Sequence, residues 1–60
     1  MTFTLTSTKA KREISVNSLD EAVYTAIKME LELDPVFGVT VESGGTIVAE
    51  VRDGVVEICD

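Results

Sequence analysis

The chain is sixty residues long, with five basic and eleven acidic side chains, a net charge of −6 and no histidine. That charge opposes direct binding to nucleic acid or to an anionic membrane, and the missing imidazole removes the usual proton shuttle near neutral pH. A single cysteine, Cys59, forms no internal disulfide and builds no zinc site, so the expected setting is a reducing cytoplasm, with no metal and no cofactor.

Sixty residues make a single domain spanning 1–60, which buries only about 60% of the surface its unfolded chain exposes. The core is therefore thin, and dimerisation is one remedy. The start, MTFTLTST, alternates threonine with apolar residues and lacks the basic and continuous apolar regions of a secretory signal. No stretch approaches the roughly 20 apolar residues needed to span a bilayer.

In chain order, Thr2 to Ser7 and Arg12 to Val16 alternate with strand period. Sharing one apolar face predicts Leu5 opposite Ile14 and Phe3 opposite Val16, around a loop of Thr8 to Lys11. Ser18-Leu19-Asp20-Glu21 has the form of a capping box, in which Ser18 caps the first turn and Glu21 reaches back to the Ser18 amide. A helix follows from Leu19 to about Leu33, ended by Asp34-Pro35. Its apolar stripe is Leu19, Ala22, Val23, Ala26, Ile27 and Leu33, and its wet side Glu21, Thr25, Lys28 and Glu32. Tyr24 and Leu31 sit at the stripe's edge, as core margin or partner contact. Glu30 falls inside the stripe; it is expected to reach water where the helix overhangs the sheet, the alternative being a buried acid with a raised pKa.

Three more strands are expected at about Val36 to Glu42, Thr46 to Arg52 and Val55 to Cys59. Asp53-Gly54 is a type I′ hairpin signal that pairs Arg52 with Val55, Val51 with Val56 and Ala49 with Ile58. Face parity favours a three-residue Ser43-Gly44-Gly45 loop, pairing Val41 with Ile47, Val39 with Ala49 and Phe37 with Val51. Ile47, Ala49, Val51, Val56 and Ile58 would then point inward. The fold class is α+β, in the order ββαβββ, a single antiparallel sheet curled over one helix; two sheets sharing the helix is the alternative.

On that register the open face carries Gly38, Glu50 and Glu57 in a row, with Glu42, Val48, Arg52, Val55 and Cys59 nearby. Opposed glutamates are unfavourable, so they do not hold the fold together. The plainest reading is a solvated face. Acid-base catalysis needs a cleft that separates two carboxyl pKa values, which a flat face does not supply, and nothing resembles a calcium loop. An acidic surface meeting a basic protein partner is the functional reading, with Glu42, Glu50 and Glu57 on the sheet and Glu21, Glu32 and Tyr24 on the helix as candidate contacts. Lys9, Lys11 and Arg12 lack the neighbouring aromatics of a base-stacking site. Gly44 and Gly45 precede no helix and so form no phosphate cradle.

The hairpin running into Ser18-Leu19, Ala22 two positions after Asp20, the helix, the strands around Gly45 and Ala49, and the closing Asp53-Gly54 turn with Cys59 beyond it carry a resemblance. Together they resemble the small phage-encoded anti-CRISPR inhibitors built from a short sheet on one helix. The resemblance spans most of the chain through turn and cap signals. It implies non-catalytic binding to a subunit of a nucleic-acid-guided complex in the host cytoplasm, blocking target access. The family pattern uses basic side chains, whereas the wet side of this helix has Glu21 and Glu32 against Lys28, so no binding residue is carried over. What transfers is a class: an acidic protein occupying a basic nucleic-acid channel. The alternative is a structural or regulatory homodimer.

Overall fold

A computed structural model describes residues 1–8, 10–33 (Leu33 by its backbone only) and 38–59. Its elements are β1 (Thr2–Thr6), β2 (Lys11–Ser15), α1 (Leu19–Leu33), β3 (Val39–Ser43), β4 (Thr46–Arg52) and β5 (Val55–Ile58). The five strands form one antiparallel sheet in the order β2-β1-β3-β4-β5, and α1 lies across β3 and β4. The expected α+β class and ββαβββ order are therefore observed.

The helix begins where the capping residues demand. Ser18 Oγ accepts the Glu21 amide at 3.3 Å, while the Glu21 carboxylate reaches one residue further back than expected and accepts the Asn17 amide at 3.0 Å. Two of the amides around the first turn are thus satisfied, and Asp20 and Glu21 complement the positive end of the helix. The face turned to the sheet presents Ala22, Val23, Ala26 and Met29, with Leu19 and Ile27 partly covered. Met29 belongs to this stripe although the sequence pattern did not single it out. The sheet answers with Phe3, Leu5, Val39, Val41, Ala49 and Val51. Small alanines at two of the central helical positions let the backbone approach the strands closely.

Register departs from expectation in two hairpins. Phe3 pairs with Ile14 and Leu5 with Arg12, two residues away from the expected Leu5–Ile14 and Phe3–Val16 pairs. Both registers keep the same faces, so alternation cannot choose between them. The closing contacts do: the Ser7 amide donates to Ala10 O at 2.8 Å and the Ala10 amide to Ser7 Oγ at 3.2 Å, extending the ladder toward the turn. Lys9 lies outside the described residues.

In the second case Glu42 pairs with Ile47 and Ser43 with Thr46, so the loop is the two-residue Gly44-Gly45, both with positive φ, rather than the expected three. A bulge between Val41 and Glu42 restores parity, returning Val41 to Ala49 and Val39 to Val51. One extra residue on β4 accomplishes what an extra loop residue would have done. Ile47 is left largely exposed, and Val48, expected outside, packs against the core. Val51 pairs with Val39, and the expected Phe37–Val51 pair falls on residues 34–37, which lie outside the described set.

The β4–β5 hairpin has the expected register, with Asp53 at φ 53° and Gly54 at φ 78° as a type I′ turn requires. The inward residues of β5, however, are not buried as Ala49 and Val51 of β4 are: Val56 is 38% and Ile58 53% exposed. The helix covers β3 and β4 and leaves β5 beyond its edge.

What fixes the helix over that hairpin is Glu30. Its side chain is 1% exposed, and its two carboxylate oxygens accept the Asp53 and Gly54 amides, each at 3.0 Å. The expected overhang into water is therefore wrong. The acid is buried, and its desolvation is offset by two charge-assisted hydrogen bonds. Among the described residues no buried side-chain polar atom lacks a partner.

Two substitutions probe these contacts. Glu30→Gln retains one acceptor oxygen and sets an NH2 group against a backbone donor, which should cost about 1–3 kcal/mol of unfolding free energy in urea and speed hydrogen exchange at Asp53 and Gly54. Wild-type stability in that variant would remove the carboxylate from its structural role. Gly38, at φ 73°, has space for a Cβ only 3.0 Å from Val51 O, so Gly38→Ala should cost about 1–2 kcal/mol or more by the same measurement.

Candidate acidic sheet face

The side of the sheet away from α1 has no covering layer among the described residues, so every second strand residue faces solvent. The strand registers run one row across all five strands: Lys11, Thr6, Thr40, Glu50 and Glu57. A neighbouring row contains Glu13, Thr4, Glu42 and Ile47. Thr40, rather than Gly38, thus stands beside Glu50. Gly38 sits where Arg52 crosses it, the guanidinium Nε lying 3.5 Å from the position a Cβ would take.

Glu50 and Glu57 oppose each other directly, as the hairpin signal predicts. Neither side chain has a hydrogen-bond or ion-pair partner among the described residues, and Arg52, on the same face, forms no ion pair within 4.0 Å there. Glu42 is held differently, accepting the Thr6 hydroxyl at 3.2 Å. Glu13 completes the acidic surface. The sequence pattern could have indicated it, because Glu13 alternates with Ile14; only the pairing of β2 with β1, and of β1 with β3, places it in the row of Glu42.

The helix candidates face the opposite direction, because α1 covers the inner side of the sheet. Glu21 is engaged in the cap. Glu32 lies 3.6 Å from Arg12 across two well-exposed side chains, a contact worth little in free energy. Tyr24 is 60% exposed and lies under the Lys28 ammonium, 4.9 Å from the ring centroid. Leu31 is exposed too, so neither forms the edge of the core. A flat partner resting on Glu42, Glu50 and Glu57 does not reach Glu21, Glu32 or Tyr24. The six candidates fall into two surfaces, and of the six only Glu50 and Glu57, on the sheet, have no side-chain partner among the described residues.

Cys59 is a half-buried free thiol whose amide donates to Val48 O at 2.9 Å. No group of three acids or cysteines among the described residues is placed to hold a metal ion, and no helix there is long and apolar enough to cross a membrane. The depressions near the acidic row are shallow, one lined by Glu50, Arg52, Asp53, Val55 and Glu57. Comparison with protein-family models, with curated proteins and with solved structures finds no match to this chain.

Like charges opposed on one face are unfavourable for folding, so relieving the clash should stabilise the protein. Glu57→Thr, which also introduces a better strand former, is expected to raise the unfolding free energy by about 0.2–1 kcal/mol. The gain should shrink as salt is added, since screening weakens exposed charge interactions. A loss of stability in low salt would contradict this account of the pair.

Proposed function

We propose that the protein is a non-catalytic protein-binding module whose acidic sheet face engages a basic site on its partner. The observation that carries this reading is the direct opposition of Glu50 and Glu57 with no cation on either among the described residues, and with Glu42 and Glu13 in the next row. Such an arrangement opposes folding and favours a positively charged partner, whose approach it accelerates by steering.

The partner class that best fits is a protein whose basic site ordinarily holds nucleic acid, with carboxylates standing where phosphates would lie. The resemblance to small phage inhibitors extends the reading to a defence complex of the CRISPR type, met in the host cytoplasm. Half-buried Thr4 and Thr40 between the acids add hydroxyls to the same surface.

Affinity capture from a host lysate followed by titration of the purified partner tests the proposal. The complex should weaken steeply with salt, be displaced by a competing oligonucleotide, and lose on the order of tenfold or more in affinity in the Glu50→Lys plus Glu57→Lys double variant. Unchanged affinity in that variant rules the sheet face out as the contact.

A further inference from the structure

The two edges of the sheet are built in opposite ways. At one end, β2 carries Lys11, Arg12 and Glu13 in succession, a charged edge of the kind that discourages strand pairing. At the other end, β5 reads Val55-Val56-Glu57-Ile58, with all four residues exposed. Nothing in its sequence guards that edge except Glu57.

Hydrogen-bond parity determines what β5 offers. In a two-residue hairpin the Arg52–Val55 pair is bonded, so Glu57 and Cys59 also turn their backbone groups to β4, as the Cys59 amide on Val48 O confirms. The N–H and C=O of Val56 and Ile58 therefore point outward. Their side chains lie on the helix side of the sheet, beyond the helix itself. Leu31, 70% exposed, lies on the same flank of α1, since Glu30 beside it reaches the β4–β5 turn while Glu32 on the far flank reaches Arg12 of β2. Among the described residues, open backbone groups thus coincide with an uncovered apolar strip.

We propose that β5 is a strand-docking edge whose occupant is an extended segment of a partner protein in which apolar residues alternate with lysine or arginine. Added beside β5, such a segment sets its apolar side chains against Val56 and Ile58 and a cation against Glu57, with Glu50 one strand behind. A second copy of this chain fits less well. Two-fold antiparallel pairing that brings Val56 against Ile58 also sets Glu57 against Glu57 and aligns four glutamates in one row. The same charges that disfavour self-pairing favour a basic strand. This inference rests on the acidic-face reading and adds to it the backbone register of the partner.

The test uses the full chain and a short blocked peptide of alternating valine and lysine, beside a twin carrying glutamate for lysine. The lysine peptide is expected to perturb and protect the Val56 and Ile58 amides by NMR, and to bind about tenfold or more tighter than its twin. A semisynthetic protein N-methylated at Ile58 loses one outward donor and no β4 bond, and should lose that binding while Glu57 and Cys59 keep their exchange protection. Ile58→Asp serves as a second variant: it removes the apolar contact while strengthening attraction for lysine, so its loss of binding is not electrostatic. If both variants bind undiminished but Glu50→Lys plus Glu57→Lys does not, the docking edge is overturned and the acidic face stands. Equal binding of the glutamate twin overturns both. Sedimentation showing a dimer that N-methylation dissociates would assign the edge to a second copy instead and overturn the proposed occupant.

Discussion

The fold turns on a carboxylate gripping a turn. Glu30 rises from the apolar side of the helix into the core margin and takes both amides that the Asp53-Gly54 loop leaves outside the ladder. A type I′ turn needs those backbone conformations to match the twist of its strands, and in adopting them it leaves its central amides outside the ladder. A charged acceptor with two oxygens meets that need within a single side chain. The contact fixes where the helix ends relative to β4 and β5, and so decides which strands it covers.

The consequences propagate across the sheet. With its last turns tied to the hairpin's tip, α1 lies over β3 and β4 and leaves the body of β5 uncovered. The bulge on β4 then lets a tight Gly44-Gly45 loop coexist with inward-facing Val39 and Val41. Removing the bulge while keeping the tight loop would exchange core and solvent residues on part of the sheet, because the side-chain period is two. What remains outside is an acidic face and an apolar edge joined at β5. Under the proposed function these two surfaces meet one partner, the acidic face setting its charge and the β5 edge its backbone register.

Caps, helical period and the Asp-Gly turn are legible in the sequence because neighbouring residues decide them. The helix from Leu19 to Leu33 follows from its cap, its period and the approaching proline; the register of β4 with β5 follows from Asp53-Gly54, and so does the opposition of Glu50 and Glu57. Two readings made from the same patterns failed for a common reason. Alternation is blind to a shift of two residues, which is how Phe3 came to pair with Ile14, and it cannot see a bulge, which moved Ile47 outward and Val48 inward. The Thr40–Glu50 neighbour relation and the place of Glu13 depend on those same registers.

By itself, then, the sequence determined the class, the order of the elements, the helix and the acid pair, since each rests on interactions a few residues apart along the chain. Tertiary structure alone decided the fate of Glu30, Val56 and Ile58. Whether a carboxylate in an apolar stripe is exposed or satisfied depends on a turn more than twenty positions away in the chain. Whether an inward valine or isoleucine is buried depends on how far a single helix reaches across five strands. Both are matters of distance in space, which hydrophobic periodicity does not encode.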